Sequence, residues 1–319
     1  MTISRAPSAF SLRHLAKLAH PATSRNWRLH RLGFALRGSL YRRSLATVWT
    51  AFQPPELQAL PVKEPTLLGK IMRPYLHARA TPEQSARMLA GHYHFLHQHF
   101  PEQIAPIYLD GGMTLGCFPV ADEQGQEWRI LLRYEPRFRR EGELAISIVD
   151  AQARRWYTCA FSIIPHQSGH ALAIGVMQGP SSVPAEMAKE QIRQLTRMGY
   201  GLRPRQLMLE LVMQLAQQWQ LQHVLAITRG SHVFCSRYYR HKKQGKIKID
   251  YDELWQEWPH QPFDDSFIEL LPSEHKPLDE IPSRKRAMYR RRYEWLDSLS
   301  GELRQLFSRS STQVHSATE

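Results

Sequence analysis

Residues 144–177 decide the fold class, and they read LAISIVDAQARRWYTCAFSIIPHQSGHALAIGVM. This stretch contains three apolar or alternating runs of strand length, which cover 144–149, 157–164 and 171–177. Gly142 precedes the first run and Gly169 precedes the last, as expected for turns between strands. A further run of the same kind lies just upstream, at 128–134. The spacing of the four runs predicts an antiparallel meander.

Downstream of Gly179 the apolar residues repeat at helical spacing, which changes the predicted structure. The pattern predicts two helices followed by a strand, at 184–198, 204–219 and 223–228. A short helix at 251–255, a last strand at 266–271 and a closing helix at 283–307 are predicted after them. Upstream, Thr81 and Pro82 are good starting residues for a helix that extends to Phe100. The predicted fold is α+β, with a mixed, largely antiparallel sheet and flanking helices.

The charge of the chain is concentrated in three segments that contain no acid. The chain has 319 residues and a formal net charge of +13. Residues 1–55 carry nine cations, and 237–248 and 284–292 carry six each. The rest of the chain has a net charge of −8. Such basic segments are typical of a solvated face, of contact with an anionic membrane surface, or of nucleic-acid binding.

The N-terminal basic segment also has a helical stripe of leucines. Leu29, Leu32, Leu36 and Leu40 recur at steps of three and four, with arginines between them. A basic amphipathic helix of this kind either lies in a membrane interface or docks on the core of its own protein. Residues 1–50 are therefore a candidate contact with an anionic membrane. Prolines from position 54 onward predict a linker, which divides the chain into a basic helical extension, 1–64, and a main domain, 65–319.

Composition excludes several classes of protein. Hydrophobic residues make up 42% of the chain and aromatic residues 10%, which excludes a disordered or fibrous protein. Three cysteines cannot form a disulfide framework, and no pair has metal-ligand spacing. Four histidines between 92 and 99 belong either to a metal site or to an ordinary helix surface, and we predict no structural metal. Without a membrane-spanning run or a secretory signal, the predicted location is the cytoplasm, or the periphery of the inner membrane.

The junction Gly201-Leu-Arg-Pro-Arg205 is the strongest candidate for a ligand site. Pro204 suits the first position of a helix, which places Arg203 at the cap and Arg205 in the first turn. Cations there oppose the helix dipole by roughly 0.3–1 kcal/mol each. A bound phosphate would offset this cost, because helix N-termini and guanidinium groups both favour anions. The alternative is that the two arginines pair with nearby acids such as Glu210.

The order of strand, loop, helix and strand around Gly201 resembles the acyl-CoA site of the GNAT acyltransferase fold. The resemblance implies a GNAT-like domain in which Gly201, Arg203 and Arg205 hold acyl-CoA or another phosphate-bearing donor. The sequence departs from the family's loop, Gln/Arg-x-x-Gly-x-Gly/Ala, which it matches only at Gly201. An acceptor cleft and the catalytic groups would then come from Ser231, His232 and Tyr238. For Ser231 and His232 the alternative, which the sequence favours, is a structural loop.

Tyrosines interleave with the cations of the second and third basic segments, at positions 238, 239, 289 and 293. Stacking of nucleic-acid bases on these rings would make the chain a non-enzymatic RNA-binding regulator. The alternative role for the rings is packing between helix and loop. An acyltransferase-like enzyme and a regulator that binds RNA or anionic lipid are therefore the two functions that the sequence predicts.

Four strings of residues resemble the bacterial VirK/YbjX family over roughly residues 65–300. They are Gly201-Leu-Arg-Pro-Arg205, Ser231-His-Val233, Ile249-Asp-Tyr-Asp-Glu-Leu-Trp255 and Lys285-Arg-Ala-Met-Tyr-Arg-Arg-Arg-Tyr293. The resemblance implies a Gram-negative source and a link to virulence and to resistance against cationic antimicrobial peptides. It implies no established reaction, cofactor or catalytic residue.

Overall fold

One sheet organises the protein. The computed structural model describes residues 10–167, 169–180, 183–239 and 251–308. Within these ranges the sheet has eight strands: β1 (Met113–Cys117), β2 (Arg129–Arg133), β3 (Leu144–Val149), β4 (Arg155–His166), β5 (Gly169–Gln178), β6 (His223–Ile227), β7 (His260–Pro262) and β8 (Phe267–Leu270). Their order is β1-β2-β3-β4-β5-β6-β8-β7, and of these neighbouring pairs β5–β6 alone is parallel. The predicted α+β fold with a mixed, largely antiparallel sheet is confirmed.

Helices precede the sheet, connect its strands and close the chain. The described helices are α1 (Leu12–Ala19), α2 (Trp27–Leu40), α3 (Arg42–Ala51), α4 (Leu60–Lys63), α5 (Pro82–His99), α6 (Pro101–Tyr108), α7 (Ala185–Met198), α8 (Pro204–Gln218), α9 (Tyr251–Gln256) and α10 (Ser283–Leu306). Side chains from helices and strands join one buried cluster, which includes Leu45 of α3, Ile146 of β3 and Leu211 of α8. All six residues of β3 are buried, as expected for a central strand covered on both faces.

α5 begins at the residue that the sequence predicts. The Thr81 side chain accepts a hydrogen bond from the Gln84 backbone N–H, and the Gln84 side chain accepts one from the Thr81 N–H. This reciprocal pair satisfies two donors that the first turn of a helix leaves free. The buried face of the helix then packs against β4 and against α3.

Two histidines of α5, His92 and His97, have structural partners. His92 Nδ1 accepts a hydrogen bond from the Ile163 N–H of β4 at 3.0 Å, and its Nε2 lies 2.8 Å from the Tyr108 hydroxyl. Burial lowers the pKa of His92 to about 3, so the ring is neutral in the core. His97 is paired with Glu56. Within the residues that the structure describes, no cluster of His, Cys, Asp or Glu could hold a metal ion.

Where prolines predict a linker, the chain forms α4 and a 3-10 helix, Pro65–Met72. Apolar side chains of this stretch, including Leu57, Leu67 and Ile71, join the same buried cluster as the sheet. Lys70 is completely buried, and its Nζ lies 2.5 Å from Oε1 of Glu143, next to the start of β3. The buried cluster is thus continuous across residue 64, the predicted boundary between two units.

α2 packs on the protein through Phe34 and Gly38, which are buried. The leucine stripe of the same helix faces solvent instead of the core. None of the helices in the described ranges is both long enough and apolar enough to cross a membrane.

The pairing of β5 with β6 ends before β5 does, and α9 contacts both strands there. The parallel pairing reaches only Ile174 of β5, which continues four residues further to Gln178. Trp255 of α9 donates its indole N–H to the Ile227 carbonyl of β6 at 2.8 Å. The hydroxyl of Tyr251, also in α9, is hydrogen-bonded to the β5 backbone at Met177. The carboxyl ends of parallel strands are a common place for ligands, and in this protein α9 occupies that place.

Candidate functional site

A groove of about 550 Å³ opens beside the first turn of α8. Its walls come from β4, from the residues just after β5, from α7, from the start of α8 and from α9. The groove is lined by four cations, Lys189, Arg193, Arg203 and Arg205, and by apolar side chains that include Tyr157, Ile192 and Leu254. The volume lies within the range of small-molecule sites, and the lining suits a ligand that is partly apolar and partly anionic.

α7 supplies the apolar wall because most of this helix stands away from the core. Only Leu195 and Met198 of α7 are buried. Ile192 and Ala188, one and two turns before Leu195 on the apolar face, line the groove instead. Periodicity alone assigns this whole face to the core, so the open part of the face is a feature that only the structure shows.

The start of α8 has the predicted geometry. Pro204 occupies the first helical position, and Arg203 is the N-cap residue with an extended backbone, φ −69° and ψ 143°. The Arg203 side chain makes no capping hydrogen bond and has no ion-pair partner within the described ranges. The first backbone N–H groups of a helix have no partner inside the helix, so this end of α8 is suited to an anion.

Arg205 pairs with an acid that is distant in sequence. Its guanidinium contacts Glu257, just after α9, rather than Glu210, which the sequence offers as a partner. Glu210 lies instead 3.6 Å from His275. Burial raises the pKa of Glu210, and the nearby His275 opposes that rise. Glu257 is 43% exposed, so an incoming anion can compete with it for Arg205.

Gly201 is required by backbone conformation and by helix packing. Its φ is +78°, in the region that favours glycine. A Cβ there would lie 2.9 Å from a guanidinium nitrogen of Arg292 and 3.1 Å from the sulfur of Met288, both in α10. Arg292 donates two hydrogen bonds to the Tyr200 carbonyl, at 3.1 and 2.9 Å, and so fixes α10 against this turn. Gly201 itself does not line the groove.

Ser231 and His232 lie buried after β6, outside the groove lining. The Ser231 hydroxyl donates to the Asp265 carbonyl at 3.0 Å. The His232 ring stacks on Tyr251 with centroids 5.2 Å apart. Burial lowers the pKa of His232 to about 4, so the imidazole is neutral at physiological pH. Both side chains hold the loop after β6 against the sheet and α9.

Tyr238 is the exposed member of the predicted catalytic set. It is 46% exposed, and the Arg73 guanidinium lies 5.9 Å from its ring centre. Tyr239 is buried against Phe234. Most of the second basic segment, from Arg240 to Lys248, falls outside the described residues, so its predicted contacts stay predictions.

The third basic segment forms the exposed start of α10. Five of its cations are exposed: Arg284, Lys285, Arg286, Arg290 and Arg291. The first turn of α10 contains no acid. The tyrosines of this segment pack on neighbours, since Tyr293 stacks on His275 at 4.5 Å and Tyr289 lies under the Arg292 guanidinium at 4.0 Å. Arg284, Lys285 and Arg290 are therefore available to an anionic partner, whereas Arg286 donates to two backbone carbonyls and the rings already have contacts.

The structure thus brings Arg203 and Arg205 into one groove and leaves the other predicted residues outside it. Lys189 and Arg193, which sequence analysis does not single out, add two cations from α7. Their spacing of four residues beside Ala188 and Ile192 is the signal that could have identified them. No local pattern connects Tyr157 or Leu254 to the groove, because they reach it from β4 and α9.

The protein is an α+β protein with a groove that is basic and partly apolar. The chain belongs to the family described as protein of unknown function (DUF535), whose model matches residues 23–305. It is 28% identical over 256 residues to the uncharacterized protein YbjX of Escherichia coli K12, which covers 79% of this chain and 76% of that protein. These matches confirm the resemblance to the VirK/YbjX family.

Two uncharacterized proteins of Haemophilus influenzae are also similar. One is 34% identical over 52% of this chain and 53% of its own length. The other is 37% identical over 41% and 42%, respectively. No solved structure matches the chain, and the GNAT likeness stays a prediction.

Proposed function

We propose that the groove binds a phosphate-bearing acyl donor of the acyl-CoA class, and that the chain is an acyltransferase-type enzyme acting near the inner membrane. One observation carries this proposal: apolar walls and four cations meet in a single groove at the start of α8. An acyl-CoA has the matching chemistry, because its phosphates are anionic and its acyl and pantetheine parts are largely apolar.

The anionic end of the donor would bind at the first turn of α8. Arg203 and Arg205 provide guanidinium groups there, and the turn provides free backbone N–H groups. In the absence of donor, Arg205 is held by Glu257. A phosphate would replace that carboxylate and carry more charge to the arginines.

The apolar part of the donor would lie along α7. Ile192 and Ala188 form that wall, and Leu254 of α9 faces the same space. In acyl transfer, a nucleophilic group of the acceptor attacks the thioester carbonyl and the CoA thiolate leaves. A groove of this kind contributes mainly by positioning the donor and by preorganised electrostatics. We assign no catalytic residue, since Ser231, His232 and Tyr238 lie outside the groove lining.

Thermal unfolding with and without ligand tests the donor site. Acyl-CoA at one hundred times its dissociation constant should stabilise the protein by about 2.7 kcal/mol, which raises the melting temperature by about 4 °C for a chain of this length. Arg203→Ala with Arg205→Ala should abolish the shift, whereas Glu257→Gln should increase donor affinity by releasing Arg205. The control, Arg87→Ala with Arg304→Ala, removes two exposed cations outside the groove. A wild-type protein that no CoA derivative or nucleotide stabilises contradicts the proposal.

The exposed cations of α10 favour a second candidate, a regulator that binds RNA. For each phosphate contact, the logarithm of the binding constant falls by about 0.7 to 0.9 for every tenfold increase in salt concentration. Replacing Arg284, Lys285 and Arg290 with Gln should flatten the slope in a filter-binding salt titration and leave the donor-induced shift intact. Tight, salt-dependent binding at physiological salt that these substitutions remove, in a protein with no donor shift, would favour the regulator.

The proposed activity would support virulence and resistance to cationic antimicrobial peptides, as the family resemblance implies. A strain without the gene should be inhibited by lower concentrations of such peptides. Complementation with the wild-type gene should restore resistance, and complementation with the Arg203→Ala, Arg205→Ala variant should not. If both genes restored resistance equally, resistance would not depend on the two arginines of the groove.

A further inference from the structure

α2 presents an apolar stripe that the rest of the protein does not cover. Leu29, Leu32, Leu36 and Leu40 are 70%, 59%, 64% and 79% exposed, and they are the exposed leucines of the described residues. At 100° per residue, the four side chains fall within about 80° of arc and span about 16 Å of helix. Four large apolar side chains aligned in this way form a contact surface rather than scattered exposure.

The opposite face of α2 is anchored, so the stripe cannot turn inward without losing packing. Phe34 and Gly38 are buried on that face, about half a turn from the leucines. Arg31 donates from its Nε to the His20 carbonyl at 2.8 Å and lies 4.3 Å from the Trp27 ring centre. The protein therefore holds α2 in place with its leucines directed away from the core.

The charges around the stripe identify its occupant. Arg28 and Arg37 are exposed and lie about 90° to either side of the leucines. Arg25, Arg42 and Arg43 are exposed at the ends of the helix, and residues 1–55 contain no acid. A second copy of this chain docked through the same face would bring these cations together. An anionic lipid surface complements both the leucines and the cations.

We propose that α2 binds the surface of an anionic membrane, with its leucine stripe in the interface and Arg28 and Arg37 on lipid phosphates. A helix of this type lies in the plane of the bilayer, with its apolar face about 5–10 Å deep. The surface is distinct from the groove at α8, so donor binding and membrane binding fail or succeed independently.

Sedimentation of the full chain with vesicles tests the proposal. The protein should bind vesicles that contain phosphatidylglycerol and should be released by high salt, with weak binding to pure phosphatidylcholine. Arg28→Gln with Arg37→Gln should lower the partition coefficient about fivefold per arginine. Leu32→Ser with Leu36→Ser should lower it about tenfold or more, because these side chains supply the inserted apolar area.

Val62→Ser with Met187→Ser is the matched control, since both residues are exposed and apolar but lie outside α2. This control should bind like the wild type, and all variants should keep the wild-type melting temperature and donor-induced shift. Leucine variants that bind anionic vesicles as well as the wild type overturn the proposal. A dimer that those variants abolish, without vesicle binding by the wild type, overturns it in favour of a second copy of the chain.

Discussion

α2 and α8 have the same apolar periodicity and use it in opposite ways. The stripe of α8 is buried throughout, from Leu207 through Leu211 to Leu215. The stripe of α2 faces solvent, and that helix packs through Phe34 and Gly38 instead. Periodicity therefore identifies an amphipathic helix without identifying what its apolar face meets. The two helices differ because α2 has a second face that can pack. On that face Phe34 supplies a large ring, and Gly38 lets neighbouring side chains come close to the helix.

The largest expected effect on the free energy of unfolding comes from the buried ion pair in the 3-10 helix on which α1 and α2 pack. Lys70 lies in the 3-10 helix that contacts α1 and α2, and it pairs with buried Glu143. Lys70→Met leaves the Glu143 carboxylate buried without its counter-ion, which should lower the free energy of unfolding by about 3–5 kcal/mol. Denaturant unfolding measures this loss. The control Arg197→Ala breaks exposed ion pairs and should cost less than about 1 kcal/mol.

The two stripes can be compared directly by shortening one leucine in each. Leu211→Ala should destabilise the protein by about 2–5 kcal/mol, because it opens a cavity in the core. Leu36→Ala should change the free energy of unfolding by less than about 0.5 kcal/mol, since that side chain is already in water. Chemical denaturation with both variants checks the contrast. Equal losses would show that α2 buries its leucines in solution.

The buried face of α5 makes stability depend on pH. His92 has a pKa of about 3 in the folded chain against about 6.5 when unfolded, so the unfolded state binds more protons between these values. The contribution of neutral His92 to the free energy of unfolding is fully present above pH 6.5. This contribution should fall by about 1.4 kcal/mol per pH unit as the pH drops toward 3. Unfolding free energies measured from pH 7 to pH 4 give the slope. His92→Asn should remove the His92 part of this slope and leave the part due to buried His232, whose pKa is about 4. His94→Asn, exposed on the same helix, should leave the slope as it is in the wild type.

The smallest expected effect is the difference in stability between alanine substitutions on the two faces of α2. At Gly33 a Cβ would meet only a flexible guanidinium nitrogen of Arg37, at 3.8 Å. Gly33→Ala should therefore stabilise the protein by about 0.5–1 kcal/mol through helix propensity. At Gly38 a Cβ would lie 3.0 Å from methyl groups of Leu12 and Leu45, so Gly38→Ala should lose that gain. Melting temperatures of the two variants decide whether the packed face is the one described.

Most of the central sheet could be predicted because its signal is local. The run at 144–149 coincides with β3, and the run at 171–177 lies within β5. β1 and β7 were not predicted: β7 has three residues, all exposed, and β1 is a short edge strand interrupted by an irregularity between Thr114 and Gly116. Short edge strands carry few buried residues, so their alternation is too brief to recognise.

The candidate site could be predicted only where it is built from neighbouring residues. Pro204 as the first residue of α8 follows from proline's fixed φ and missing N–H, which makes Arg203 the cap. The partner of Arg205 could not be predicted, because Glu257 reaches it through the packing of α9 beside β5 and β6. The exposed apolar face of α7 could not be predicted for the same reason. How far α7 lies from the core depends on the packing of all the elements beneath it.

The sequence by itself determined the meander strands β2 to β5, the boundaries of α5, α7, α8 and α10 to within about two residues, and the concentration of charge at residues 1–55. These properties depend on backbone sterics, side-chain period and composition, which act over a few residues. The tertiary structure decided which face of α2 is buried, which acid meets Arg205 and where α7 leaves a groove. Burial of apolar surface has no preferred direction, so a stripe can pack on any surface that fits it. Which surface fits is settled only when all the elements are assembled.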